Sequence, residues 1–184
     1  MASEPLEHSL PKGYCRQLFA IGVLREKKPL WRWESTRAGG KFDIMGFKGT
    51  RGHPIDEVLV EIRYREHISE DRLLTHGVEI NANKIQHGID AYATGVKQCI
   101  FLVILNGRGL YTTHYPKLEE ANTLEFHCQN RAPGLECSGR PTEVTKLKGF
   151  KMLCDWNTYL EQVRMNLVHT IPAECVPFLK EIYG

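Results

Sequence analysis

The stretch FDIMGFKGTRGHPIDEVLVEIRYRE, residues 42–66, carries the pattern that decides the fold. In its second half, every other residue is apolar, the period of a strand whose successive side chains point to opposite faces. These alternating apolar residues are Val58, Val60, Ile62 and Tyr64. Glu61 and Arg63 lie between them, so the two charged side chains are predicted to share the other face of the strand.

Asp43 lies in the preceding segment, residues 41–47, between Phe42 and Ile44. If this segment pairs as a strand with the one that contains Glu61, the two carboxylates come side by side. Two carboxylates and a cation on one sheet face can hold a divalent metal ion against a phosphodiester. Taken alone, these residues also fit the ordinary solvent face of an antiparallel sheet.

A chain of 184 residues is long enough for one domain with a sizeable core. The apolar share of 42% and the charged share of 25% are typical of a soluble globular protein. The longest apolar run, residues 99–105, is far short of the roughly 20 residues that span a bilayer. Residues 1–12 lack the basic and then apolar pattern of a signal peptide, so we expect an intracellular protein, cytoplasmic or nuclear, with no membrane partner.

The net charge of +2 neither requires nor excludes a nucleic-acid partner, because a local basic patch matters more than the total. Three short basic segments could form such patches, and each also fits an ordinary solvated surface. They are residues 25–28, 48–51 and 146–151.

Six cysteines are scattered along the chain without a CxxC pair. Apolar neighbours surround several of them, so the pattern indicates reduced and mostly buried thiols. A zinc site is the alternative for one group, although its spacing matches no strong zinc signature. That group is His127, Cys128, Cys137 and Cys154.

Hydrophobic periodicity and turn residues predict an order of helix, three strands, helix, strand and then peripheral elements. The first part has a flexible start over 1–11, a helix over 12–28, strands over 31–36, 41–47 and 57–66, and a helix that Ser69 caps and that runs towards Asn81. A helix over 85–97, a strand over 99–105, strands over 110–115 and 123–129, a loop over 131–141, a helix after Asp155 and a short helix after Pro172 follow. An open mixed sheet with helices on both faces satisfies these patterns.

In this order, the chain resembles the restriction-endonuclease-like superfamily, the PD-(D/E)xK nucleases. That family has an α-β-β-β-α-β core with an acidic residue on the second strand and an E-x-K tripeptide on the third. FDIMGF is similar to the first half of the motif and VEIRYRE to the second, while CIFLVIL falls where the next core strand belongs. The resemblance covers roughly residues 12–115 and implies a single nuclease-like domain over 1–184, with residues 116–184 as an elaboration.

The resemblance implies metal-dependent hydrolysis of phosphodiester bonds in DNA or RNA. Asp43, Glu61 and the backbone carbonyl of Ile62 would bind Mg²⁺ or Mn²⁺, and the residue at position 63 would orient water or neutralise charge. Many nucleases of this kind act as dimers, so a homodimer is one assembly that the resemblance allows. The helix over 156–167 and the hairpin over 106–115 are the candidate dimer surfaces.

The sequence departs from the family pattern at position 63, where Arg63 replaces the lysine. Arginine can stabilise a phosphorane through its forked donors, but it cannot act as a base. Some families place the lysine on the following helix, where Lys84 is a candidate and a solvent-facing lysine is the alternative. Asp56 competes with Asp43 for the first acidic position. A catalytically inactive module with the same fold, binding nucleic acid or a protein partner, is therefore the competing hypothesis.

Overall fold

The structure is a computed structural model that describes residues 6–36, 40–50, 53–121, 126–128, 143–170 and 172–183. The helices are α1 (Leu6–Lys27), α2 (Glu70–His76), α3 (Ala82–Ala93), α4 (Leu118–Ala121), α5 (Trp156–Thr170) and α6 (Val176–Tyr183), with a short 3-10 helix at Ala173–Cys175. The strands are β1 (Arg32–Ser35), β2 (Ile44–Thr50), β3 (His53–Arg65), β4 (Val78–Asn81), β5 (Gln98–Leu105), β6 (Gly109–His114), β7 (Phe126–Cys128), β8 (Glu143–Leu147) and β9 (Lys151–Asp155).

Six strands of the described chain form a mixed central sheet in the order β1-β2-β3-β5-β6-β9. β3 and β5 run parallel, because the crossover through α2 and α3 returns the chain in the same direction, and the other neighbours in this sheet run antiparallel. The predicted order of helix, three strands, helix and strand is confirmed, and so is the mixed sheet.

Two apolar clusters cover the two faces of this sheet. Side chains from α1 and α5, such as Phe19 and Val163, pack on one face with Val60 and Ile62 of β3. Leu73 of α2 and Ile85 of α3 pack on the other face. The continuously apolar β5 contributes to both clusters, as expected of a strand covered on both sides. The predicted helices on both faces are confirmed.

The helix that Ser69 caps is shorter than predicted. The Ser69 hydroxyl accepts the amide of Arg72 over 3.2 Å, which confirms the cap, but α2 ends at His76 instead of continuing towards Asn81. Gly77 follows with a φ of +76°, and a Cβ at this position would lie 2.0 Å from the carbonyl oxygen of Leu147. β4 then pairs with β8 in a second sheet of the order β4-β8-β7, and alternate residues of β4 are buried.

The C-terminal part contains two strands that the sequence patterns did not predict, β8 and β9. β9 pairs with β6 and forms one edge of the central sheet, so residues beyond 115 belong to its architecture. The predicted cap of α5 is confirmed, since the Thr158 amide donates to Asp155 Oδ1 over 2.9 Å. The helix after Pro172 is also confirmed, and the predicted loop over 131–141 lies outside the described residues.

At the N-terminus, the predicted flexible start is wrong from residue 6 onwards. α1 begins at Leu6 and continues to Lys27. β2 begins at Ile44 instead of residue 41, and β3 begins at His53 instead of residue 57.

The expectation of reduced cysteines is wrong for one pair, because Cys15 and Cys175 form a disulfide. It joins the middle of α1 to the 3-10 helix, and both residues are fully buried. Residues 160 positions apart in the chain are brought together only by the tertiary fold, which the spacing of single cysteines does not indicate. Cys99 and Cys154 are free and buried, as expected. The intracellular location stays a prediction, since disulfides are commoner in oxidising compartments.

Both predicted dimer surfaces take part in packing within the chain. Tyr159 and Val163 of α5 are buried in the cluster that contains α1, and β6 lies between β5 and β9 in the sheet. Because these contacts lie within one chain, they do not test the homodimer, which stays a prediction. Among the described residues, every helix is too short or too polar to cross a bilayer.

Candidate active site

Asp43 is held at the start of β2 by the backbone of β3. Its amide donates to the Val60 carbonyl over 2.9 Å, and its Oδ2 accepts the amide of Ile62 over 2.9 Å. Because Ile44 pairs with Val60, Asp43 lies beside Glu61 across the two strands. The expected approach of the two carboxylates is therefore present.

Glu61 is fully buried, with 0% of its side chain exposed. It lies on the sheet face that carries Phe101 and Tyr115, opposite the face of Val60 and Ile62. Burial raises the pKa of the Glu61 carboxyl, and the charges of Arg63 and Lys84 oppose this effect. A carboxylate in this position stays charged only while it has cationic partners.

Arg63 contacts both carboxylates from the same face of β3. Its Nη2 lies 2.6 Å from Glu61 Oε1, and its Nη1 lies 3.6 Å from Asp43 Oδ2. Nη1 also donates to the Ile62 carbonyl over 3.0 Å. About a third of the Arg63 side chain, 35%, is exposed, so the guanidinium lies at the mouth of the site.

Lys84 enters the site from the first turn of α3. Its Nζ lies 3.1 Å from each carboxylate oxygen of Glu61, and 20% of its side chain is exposed. The alternative of a solvent-facing lysine is therefore wrong. α3 packs over this face of the sheet through Ile85, and that packing directs the neighbouring Lys84 towards β3.

Gln17 contacts Asp43 directly and Ser35 supports Gln17, and neither residue was predicted to belong to the site. Gln17 of α1 donates through Nε2 to Asp43 Oδ1 over 3.0 Å. Ser35 of β1 donates to Gln17 Oε1 over 2.5 Å. A signal was available, because Gln17 is a polar residue within the apolar stretch of α1 between Cys15 and Val23.

Asp56 lies away from this group. It belongs to β3 but pairs in register with Lys48, and its Oδ1 accepts the amide of Glu57. It lies five positions before Glu61, which corresponds to roughly 16 Å along β3. Of the two aspartates, Asp43 is the one that lies beside Glu61.

The candidate zinc ligands belong to different parts of the fold. Cys154 is buried in the central sheet, where burial raises the pKa of its thiol, while His127 and Cys128 belong to β7 in the second sheet. Cys137 lies outside the described residues. Within the described residues, no group of three or more histidine, cysteine, aspartate or glutamate residues is arranged to hold a metal ion.

The oxygen atoms around Glu61 fit a hard divalent cation in their chemical type. Two carboxylates and one carbonyl converge, and Mg²⁺ commonly binds one or two carboxylates together with water and substrate phosphates. Glu61 Oε1 is buried and accepts no hydrogen bond of normal alignment from the described residues, although Arg63 and Lys84 lie close to it. A divalent cation at this oxygen would therefore compete with the contacts that Arg63 and Lys84 make there.

No family model matches the chain, and no curated protein matches it. Among solved structures, the chain is similar to Hjc, a Holliday junction resolvase from the archaeal hyperthermophile Archaeoglobus fulgidus, with a TM-score of 0.41 and 13% sequence identity. The match covers 71% of this chain and 80% of that chain. At this level, the likeness assigns no activity and no residue. The α-β-β-β-α-β order of the core and the pairing of its strands confirm the fold that the resemblance to the restriction-endonuclease-like superfamily predicted.

Proposed function

We propose that the protein is a metal-dependent nuclease that hydrolyses phosphodiester bonds of DNA or RNA. The observation that supports this best is the convergence of two carboxylates and two cations on one sheet face. The carboxylates are those of Asp43 and Glu61, and the cations are Arg63 and Lys84. Burying charged side chains costs free energy, and apolar residues of similar volume would stabilise the folded state as well or better. A functional role is therefore the better explanation of this cluster.

Asp43, Glu61 and the Ile62 carbonyl are the residues that would hold Mg²⁺ or Mn²⁺. When bound there, such a cation supplies polarisation of the scissile phosphate and a lower pKa for the attacking water. The amide of Ile62 and the side chain of Gln17 hold the two oxygens of Asp43 in place. These two hydrogen bonds orient the Asp43 carboxylate for a metal ion.

Arg63 and Lys84 have separate roles in this proposal. The guanidinium of Arg63 lies at the mouth of the site, where its forked donors can bind a phosphate and stabilise charge that develops on it. Lys84 stays at the buried carboxylate and keeps Glu61 charged through its contacts to both oxygens. Neither cation acts as the general base.

A nucleic-acid partner is supported by two lysines that meet at one aromatic ring. The ammonium nitrogens of Lys28 and Lys48 lie 4.8 Å and 5.5 Å from the centre of the Trp31 ring. They come from two of the basic segments identified in the sequence, which pairing of β1 with β2 brings together. Lysines beside a partly exposed aromatic side chain suit phosphates and bases. We further propose that the chain acts as one domain and that two copies cut the two strands of a duplex.

A second candidate function has its own supporting observation. Arg63 contacts the three groups expected to bind metal, and an inactive module would conserve the fold while a permanent ion pair replaces the cation. Such a protein would bind nucleic acid or a protein partner without cleaving a bond.

Cleavage of single-stranded and double-stranded DNA and RNA in the presence of Mn²⁺ separates the two functions. We expect the wild type to cut at least one substrate, and both Asp43→Asn and Glu61→Gln to abolish cutting. Asp71→Asn is the control, since Asp71 is an exposed carboxylate of α2 outside the site. Failure of the wild type to cut any substrate, with retained binding of nucleic acid, would support the inactive module.

A further inference from the structure

The Arg63 guanidinium contacts each of the three groups that the proposed function assigns to the metal ion. It lies 2.6 Å from Glu61 Oε1 and 3.6 Å from Asp43 Oδ2, and it donates to the Ile62 carbonyl over 3.0 Å. Lys84, the second cation, contacts both carboxylate oxygens of Glu61. We infer that Arg63 is the resident cation of this site and that a divalent ion binds these oxygens only after the guanidinium has left them.

The exclusion follows from distance and charge. A divalent ion binds its oxygens at about 2.0 to 2.6 Å, closer than most of the guanidinium contacts to the same oxygens. If the divalent ion and the Arg63 guanidinium bound the same oxygens, their positive charges would lie within a few ångströms of each other beside a buried carboxylate. Since the interior screens charge poorly, their repulsion would be strong. One cation therefore displaces the other.

The charge balance supports the same inference. Asp43 and Glu61 carry two negative charges, and Arg63 and Lys84 carry two positive charges, so the group is neutral without a metal ion. Adding a divalent ion would leave a large positive excess around a fully buried carboxylate. Removing Arg63 leaves a net negative charge that attracts a cation.

The exposure of Arg63 gives the guanidinium a route out of the site. About 35% of its side chain is accessible, against 20% for Lys84 and 0% for Glu61. A phosphate of a bound nucleic acid offers a partner outside, because a guanidinium can bind two phosphate oxygens at once. Binding of the divalent ion and withdrawal of Arg63 towards phosphate are then coupled.

Binding of Mn²⁺ to the wild type, Arg63→Met and Arg65→Met, measured by calorimetry and by the shift in Tm, tests this inference. We expect Arg63→Met to bind Mn²⁺ roughly tenfold or more tightly than the wild type, a usual size for coupling between two ligands of one site. Arg65→Met, which removes a positive charge near Arg63, should change the affinity much less than Arg63→Met. Arg65 is the control two residues along β3, and it donates to the Tyr64 carbonyl over 3.4 Å. Glu61→Gln added to Arg63→Met should abolish the gain.

Equal Mn²⁺ affinity of the wild type and Arg63→Met would overturn the inference, and so would the absence of Mn²⁺ binding in both. If Arg63→Met does not fold, Arg63→Lys serves the same test, because a compact ammonium cannot reach all three groups. Its affinity should also exceed that of the wild type, and an affinity equal to the wild type would overturn the inference.

The inference rests on the metal site of the proposed function, but the two can fail separately. If the wild type cuts nucleic acid with Mn²⁺ and its Mn²⁺ affinity does not change in Arg63→Met, the nuclease stands and the inference fails. If the wild type cuts nothing while Arg63→Met binds Mn²⁺ more tightly, the inference stands and the inactive module replaces the nuclease.

Discussion

Lys84 Nζ lies 3.1 Å from each oxygen of the Glu61 carboxylate, so a helix residue and a strand residue 23 positions apart form a buried ion pair. The pairing explains how a fully buried carboxylate is tolerated on the face of the central sheet. It also places a lysine ammonium group, that of Lys84, beside Glu61. Position 63 of β3, where the motif predicts lysine, is arginine.

Lys84→Met should reduce cleavage by about 10²-fold, the usual cost of losing one charged group from a preorganised site. The reason is that Glu61 loses the partner that contacts both of its oxygens. Lys97→Met is the control, since Lys97 is exposed just after α3. Single-turnover rates with Mn²⁺ measure the effect, and equal rates for the two variants would rule out this role for Lys84.

Glu61→Gln should change how stability depends on pH. Burial raises the pKa of Glu61 in the folded protein above its ordinary value of 4.5. The folded state therefore holds this proton over a window in which the unfolded chain has lost it, and stability decreases as pH rises through that window. Because glutamine does not titrate, the free energy of unfolding of the variant should lack this decrease.

Urea unfolding from about pH 4 to pH 8 measures the difference in slope. Glu161→Gln, an exposed carboxylate on α5, should behave like the wild type. Parallel curves for the wild type and Glu61→Gln would contradict the raised pKa.

Gln17→Leu should loosen Asp43. The substitution keeps much of the side-chain volume but removes the amide that donates to Asp43 Oδ1. A double-mutant cycle with Asp43→Asn should give a coupling energy of about 0.5 to 1.5 kcal/mol in the free energy of unfolding. Ser35→Ala, which removes the donor to Gln17 Oε1 and a local contact with the Thr36 carbonyl, should give a smaller effect. A coupling energy of zero would show that the Gln17 contact does not position the carboxylate.

Replacing both Cys15 and Cys175 by serine should lower the free energy of unfolding by about 2 to 5 kcal/mol, because the disulfide closes a long loop. The two residues are 160 positions apart. A reducing agent should destabilise the wild type and leave the double variant unchanged. An equal response of both proteins would mean that the disulfide is absent in solution.

Tyr115→Phe should leave the free energy of unfolding unchanged within about 1 kcal/mol or raise it slightly, because no hydrogen bond is lost. The Tyr115 hydroxyl is buried and has no hydrogen-bond partner among the described residues. Tyr92→Phe is the matched comparison, since the Tyr92 hydroxyl donates to the Tyr115 carbonyl over 3.1 Å. It should cost about 1 kcal/mol. A larger loss for Tyr115→Phe than for Tyr92→Phe would indicate a partner for the Tyr115 hydroxyl.

The core strands could be predicted because their signals are local. The two-residue period of β3 placed Glu61 and Arg63 on one face, and the apolar run of β5 indicated a strand covered on both sides. Elements with weaker local signals were missed. β4, β8 and β9 are short, and their pairing depends on partners far along the chain.

The sequence by itself determined the order of the core elements and the approach of Asp43 to Glu61, since strand alternation and neighbouring pairing follow from backbone geometry. Only the tertiary structure decided the depth at which Glu61 is buried, the contact of Lys84, the support of Asp43 by Gln17 and the bond between Cys15 and Cys175. Each of these depends on how a helix packs on the sheet. Such packing is set by many side chains together, and no local period in the sequence records it.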